Sequence, residues 1–321
     1  MSGQDSADQH GSTVVIAGAS GFIGTELASQ LRLGGHRVIR LVRRAAHAPD
    51  ERSWDPRSGV LDPSIVDEAD ALVNLSGASL SRLPWTYGYK RTILRSRVDA
   101  TRTLAQAVLR STRPPAVFVS GSAVGFYGDR PGEVLTESSP KGEGFLARVV
   151  ESWEAEAMPA ATATRVVCAR TSVVVGKGGA LKPLMLLARL RLGGPIGGGK
   201  QHWPWISLHD EAAALVHLAT VSTASGPVNL TGPTPATQGE LGSLVAARLG
   251  RPYWLPVPAW AIRAALATAG RDLLLVDQMV VPTVLQAEGF QFRHPTVEQA
   301  VESMAVGRRP LRILNAGHPS L

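Results

Sequence analysis

One cysteine in 321 residues, Cys168, leaves nothing to pair with, so an internal disulfide and a cysteine metal cluster are both excluded. The eight histidines form no HExxH or other paired spacing, and no metal site is expected. Also missing is an apolar run of membrane length. The greasiest stretch, "LKPLMLLARLRLGG", is broken by Arg189 and Arg191 and falls short of the roughly 20 residues a span needs. No basic start followed by an apolar run opens the chain, so "MSGQDSADQHGS", residues 1–12, reads as a disordered tail and not as a secretory signal. With reducing chemistry implied by the lone thiol, a soluble cytoplasmic protein without a membrane partner is the expectation. The net charge of +7 does not gather into a basic run with interleaved aromatics, so nucleic acid is not the expected partner; an anionic small molecule is. A GxSxG elbow is absent too, which argues against a serine hydrolase.

What is present is alternation. A β-branched strand from residue 13 runs into the glycine turn "GASGFIG", and Ile23, Leu27 and Leu31 then recur at helical spacing until Gly34 and Gly35. Strands in "RVIRLV", "ALVNLSG", "AVFVSGS", "RVVCART" and "GPVNLTG" alternate with helices over residues 89–110, in "FLARVVESWEAEA" and in "EAAALVHLA". This order predicts an α/β, doubly wound parallel sheet of the Rossmann type. Beyond Val175 the texture turns to glycine clusters and the Trp-rich "HWPWISLHD". Residues 13–175 with 207–231 are therefore expected to form the nucleotide-binding domain, and 176–206 with 232–321 a smaller substrate lobe.

In "GASGFIG" the spacing Gly18, Gly21, Gly24 between a strand and a helix is that of a dinucleotide loop: a tight turn, a close approach to pyrophosphate, and close helix packing. Free N–H groups at the helix start would face the phosphates. About 20 residues on, where a free ribose hydroxyl would call for Asp or Glu, the second strand ends in Arg43 and Arg44. Two arginines suit a 2′-phosphate, so NADP is expected over NAD.

Taken together, "GASGFIG", "NLSGASL", "SGSAVGFYG" and "EGFQFRHPTVEQA" resemble the atypical short-chain dehydrogenase/reductase subgroup known as epimerase family proteins, similar to nucleoside-diphosphate-sugar epimerases and carrying a C-terminal segment of their own. The resemblance implies an extended-type Rossmann fold, NADP(H) held by Gly18, Ser20, Gly21, Phe22, Ile23 and Gly24 with Arg43 and Arg44, and by Leu75, Ser76 and Gly77. It also implies an epimerase-like substrate lobe and a homodimer paired through two long helices. Ser172 after "ART" and Ser207 in "WIS" depart from the usual glycine and histidine of the family, as does the less charged "RLPWTYGY".

The wider superfamily moves its proton with a Tyr, a Lys four residues later, and a Ser. No Tyr-x-x-x-Lys exists here: the matching positions are Phe145 and Val149. Ser122 matches the serine, with backbone bonding as its plain alternative. Tyr127 on the same loop is the candidate proton donor, against simple packing under the sheet edge; Glu137, His209 and Asp210 lie on loops facing that edge, with Glu137 and Asp210 equally readable as helix caps. Trp85, Arg97, Gln201, Trp203 and Trp205 are candidates for substrate binding. For Arg97 a buried ion pair weighs equally; tryptophans are more often core or lobe-interface residues than ligand platforms. Two readings result. One is an NADP-dependent oxidoreductase or epimerase-like enzyme on a small, anionic or sugar-like substrate, favoured by the kept serine and the full cofactor loop; the other is a non-catalytic cofactor-binding sensor or interaction module, favoured by the missing Tyr and Lys.

Overall fold

A computed structural model describes residues 11–304; most of the expected tail, residues 1–10, and the end of the expected substrate lobe, 305–321, lie outside the described residues. The strands in chain order are β1 (Thr13–Ala17), β2 (Arg37–Val42), β3 (Glu51–Ser53), β4 (Ala71–Asn74), β5 (Val117–Ala123), β6 (Val134–Leu135), β7 (Arg165–Thr171), β8 (Val173–Val175), β9 (Trp205–Ser207), β10 (Gly226–Leu230) and β11 (Met279–Val280). The helices are α1 (Phe22–Leu33), α2 (Ser64–Asp67), α3 (Tyr87–Arg110), α4 (Phe145–Ala157), α5 (Lys182–Arg189), α6 (Leu208–Thr220), α7 (Gln238–Arg248), α8 (Ala259–Leu273), α9 (Thr283–Ala287) and α10 (Val297–Ser303).

Seven strands make one parallel sheet in the order β10-β7-β5-β4-β1-β2-β3. Period-2 alternation sends successive side chains of each strand to opposite faces. Val14 and Ile16 therefore meet Leu27 and Leu31 of α1 and Leu215 and Leu218 of α6, while Val15 and Ala17 meet Ala100, Leu104 and Val108 of α3. Burial on both faces explains the near-continuous apolar strands. Because β1 pairs with β2 on one side and β4 on the other, chain order reverses at β1, and the crevice beyond Ala17 and Asn74 is where such sheets take ligands.

A third core joins Met185, Trp203, Trp205, Leu241, Val245 and Val301, from segments that follow β7. Two local expectations are corrected. The short edge strand β3, which the sequence reading passed over, carries Glu51 beside the end of β2. Ser207, not Asp210, caps α6: its hydroxyl accepts from the Asp210 N–H at 3.0 Å, and Asp210 is the third residue of the helix's first turn.

Candidate functional site

Gly18 follows β1 with φ +86°, and a Cβ there would come 2.8 Å from the backbone of Leu75, just beyond β4. Only a bare backbone lets the loop lie that close. A Cβ on Gly24 would overlap the carbonyl oxygen of Gly18, so α1 is pressed onto its own loop. The helix starts after Gly21 with no side-chain cap and no acidic residue in its first turn, so its first N–H groups have no side-chain acceptor. A cradle of this kind fits a pyrophosphate. Ser76 and Gly77 continue from Leu75: Ser76 donates its N–H to Asn74 Oδ1 at 3.0 Å, and Gly77 lies against the guanidinium of Arg97. The ring of Phe22 packs on Gly176, Gly178 and Gly179, so the glycine-rich segment after β8 folds over the start of α1.

The two arginines after β2 differ. Arg44 makes a two-pronged bond to Glu51, at 2.8 and 2.7 Å, while Arg43 is exposed and has no ion-pair partner among the described residues. The Arg44 guanidinium, helped by the His47 N–H, holds the Glu51 carboxyl down at about 2. Of the pair, Arg43 is the one left to meet an anion.

At the carboxyl end of β5 the predicted serine is buried and bonded. Ser122 donates to Glu154 Oε1 at 2.6 Å, and Glu154 is clamped by Arg170 of β7 through two bonds of 2.8 Å. Arg170 also donates to the Tyr127 hydroxyl at 3.0 Å and lies 3.6 Å over the Phe126 ring. Tyr127, fully buried, donates in turn to Asn229 Oδ1 at 2.7 Å, and burial raises its pKa. Ser122 and Tyr127 thus share one network, joined by Glu154 and Arg170. Sequence reasoning missed both: they stand 16 residues apart on a helix and a strand, and the register Ser122 opposite Arg170 is what brings them together. Glu137 accepts from the N–H groups of Asn229 and Val284, so it caps the start of α9 and not the helix that follows it in sequence. Phe145 and Val149, where the Tyr and Lys would stand, offer no proton; Phe145 packs edge-on to Trp85.

The candidate substrate residues separate into two places. Trp85 donates its indole N–H to Leu80 O at 3.1 Å inside a small core with Ile93 and Val149. Near it, Arg97 donates to the carbonyls of Ala78 and Ile93 and lies over the Trp153 ring; the ion pair weighed for it is not formed with any described carboxylate. Burial pulls its guanidinium down to about 10, still charged at neutral pH. Gln201 and Trp205 belong to the other core. The Gln201 amide ties together the carbonyls of Ile196 and Leu274, and Trp205 donates to Thr234 O at 2.9 Å.

His209 lies at the α1–α6 contact with Gln30. Asp210 receives the N–H groups of Arg293 and His294, pinning the chain after α9 onto α6. Its neighbour Glu211 is fully buried, accepts one bond from Thr171 Oγ1 at 2.7 Å, and keeps its second oxygen without a partner. Burial pushes this carboxyl up to about 8.

The sequence matches the NAD dependent epimerase/dehydratase family over residues 14–230 and a domain of unknown function, DUF1731, over 257–304. It is 39% identical over 290 residues to an epimerase family protein of Mycobacterium leprae, covering 90% of this chain and 94% of that one. The human epimerase family protein SDR39U1 is 33% identical, and its crystal structure with NADPH superimposes with a TM-score of 0.83 over 91% of this chain and 99% of that one. A nucleoside-diphosphate sugar epimerase from Corynebacterium glutamicum, 33% identical, aligns with a TM-score of 0.74 over 91% of this chain and 57% of that structure. With the glycine cradle, the parallel sheet and the C-terminal segment all in place, the chain belongs to the NAD dependent epimerase/dehydratase family, in the epimerase family branch that includes SDR39U1.

Proposed function

We propose that the chain binds NADP(H) along the crevice beyond Ala17 and Asn74 and acts as an oxidoreductase or epimerase-like enzyme on a small, anionic or sugar-like substrate. The observation that carries the cofactor reading is Arg43, just after β2, exposed and with no ion-pair partner among the described residues while Arg44 is spent on Glu51. Arg43 would take the 2′-phosphate, and the uncapped start of α1 with Gly18, Ser20, Gly21, Phe22, Ile23 and Gly24 would take the pyrophosphate. Leu75, Ser76 and Gly77 form the facing wall. The NADPH in the human relative's crystal structure supports this choice over NAD.

The nicotinamide supplies a hydride donor or acceptor at C4 when the cofactor is bound. The chain's own part is to place a substrate oxygen and move a proton. Ser122 orients that oxygen. Its hydroxyl proton already points at Glu154, so a substrate hydroxyl that hands a proton to Ser122 is relieved by transfer onward to the carboxylate. Tyr127 fits a bracing role better than a donor role, because its hydroxyl is buried and engaged on both sides. Arg97, a cation without a carboxylate behind Gly77, adds attraction for an anionic ligand on that side. The residue divisions at 175–176, 206–207 and 231–232, with cytoplasmic residence, complete the reading. The non-catalytic sensor is the second reading, supported by Phe145 and Val149 in place of the proton-moving pair.

Titration with NADPH and NADH, followed by tryptophan fluorescence in the parent and in Arg43→Ala, tests the proposal. Tight NADPH binding that weakens in the variant while NADH binding does not is the expected result. Failure to bind either nucleotide overturns it.

A further inference from the structure

The segment "LKPLMLLARLRLGG", too short and too charged to span a bilayer, has a different use in the fold. Helix α5 buries only Met185 and Ala188, and Leu186 and the C-cap Leu190, four residues apart, are turned to solvent at 57% and 59% exposure. Leu187 and Leu192 are exposed beside them. Residues 252–257 lie alongside: Trp254 donates its backbone N–H to Gly193 O and its indole N–H to Arg191 O, yet stays 62% exposed, and further on Trp260, at the start of α8, is 71% exposed. Lys182, Arg189 and Arg191 on the first segment, Arg251 just before the second and Arg263 in α8 are exposed and form no ion pair with any described carboxylate. None is near in sequence either, since no Asp or Glu occurs between Glu156 and Asp210 or between Glu240 and Asp272.

We propose that this face is a peripheral docking surface for an anionic lipid bilayer, with the leucines and Trp254 entering the headgroup boundary and the cations around them meeting lipid phosphates. No helix among the described residues is long and apolar enough to cross a membrane, so the contact is adsorption onto one leaflet. Charge decides the occupant. A second copy of the chain in a two-fold contact would set these unpaired cations against themselves. A nucleic acid would use the cations and leave four exposed leucines in water, whereas an anionic bilayer satisfies both sets at once.

The test is co-sedimentation of the full-length protein with vesicles of phosphatidylglycerol and phosphatidylcholine, and with phosphatidylcholine alone, while tryptophan emission is followed. Binding confined to the anionic vesicles, with a blue shift, is expected; high salt should weaken it. Arg189→Glu with Arg191→Glu, and separately Leu186→Ser with Leu190→Ser, should each weaken binding at least about tenfold. Unchanged thermal unfolding of each variant confirms that the fold is intact, and Trp254→Ser serves as a third probe should either pair unfold. The proposal is overturned by no sedimentation with anionic vesicles, by equal binding of the charge-reversed variant, or by a dimer in light scattering that the leucine variant dissolves. Oligonucleotide binding that survives the leucine changes while vesicle binding is absent overturns it in favour of a polyanion site.

Discussion

Ser122 and Glu154 are joined by a hydrogen bond of 2.6 Å, and the same carboxylate is the counter-ion of Arg170. A helix residue therefore accepts the proton of the hydroxyl that sequence reading proposes as the orienting serine. Glu154→Gln keeps the shape and removes the charge, leaving Arg170, 4% exposed, without a counter-ion. A loss of about 3–5 kcal/mol in urea unfolding is expected. Glu154→Leu combined with Arg170→Met should recover most of that loss, because no lone charge remains buried. Equal stability of Glu154→Gln and the parent would mean that the pair is not holding this end of the sheet.

Arg43 and Arg44 offer a contrast between neighbours. Arg43→Ala should weaken NADPH binding about ten- to hundredfold, the worth of charged hydrogen bonds, with little change in stability. Arg44→Ala should act the other way. It strips Glu51 of its two-pronged partner and leaves Arg40, at 3.3 Å, as the remaining one, so thermal stability falls while the ratio of NADPH to NADH affinity moves less. Equal loss of NADPH affinity in both variants would refute the division of labour.

The elements that were legible from sequence are those with strong local signals: the strand, glycine turn and helix around Gly18, and the apolar strands of the parallel sheet. What escaped depends on register and on distance along the chain. Three residues of polar sequence, "ERS", carry no strand signal, yet β3 pairs with β2 and so decides which arginine is free. Glu154 and Arg170 look like ordinary helix-face and strand residues until β5 and β7 align Ser122 with Arg170. Asp210 resembles a cap because it precedes an apolar helix, but Ser207 three residues earlier wins the position, and Asp210 instead receives two N–H groups from residues 293 and 294. Tryptophans as bare letters could not be assigned: Trp85 and Trp205 fill cores, while Trp254 and Trp260 lie open.

The glycines of the cradle should fail in different ways. Gly24→Ala puts a methyl group onto the Gly18 carbonyl, so α1 must shift from its loop; destabilisation of about 1–3 kcal/mol is expected, with cofactor affinity lost as a consequence. Gly21→Ala meets the same carbonyl oxygen at 3.2 Å, a contact that a small adjustment relieves. Its cost should fall on affinity and not on the unfolding midpoint, since Gly21 is where a pyrophosphate would approach the backbone. Calorimetric unfolding and nucleotide titration of the two variants separate these outcomes, and identical profiles would show that the loop does not distinguish packing from binding.

Glu211 makes stability depend on pH in a direction opposite to that of a salt-bridged acid. Buried with one donor, Thr171, and one unpartnered oxygen, its carboxyl keeps its proton up to about 8, against 4.5 for the unperturbed group. Between those values the folded chain holds a proton that the unfolded chain has released, so the contribution of this group is complete below pH 4.5 and is lost as pH rises toward and past 8. Glu211→Gln is neutral at every pH and keeps an acceptor for Thr171. Relative to the parent it should therefore match at pH 4.5 and below and become the more stable protein above pH 8, with the gap opening across the interval. Urea unfolding at a series of pH values measures that gap directly. A gap that stays constant with pH would mean that Glu211 is ionised in the folded chain, with a partner supplied to its second oxygen, and would remove the only neutral carboxylic acid assigned to the carboxyl end of β7.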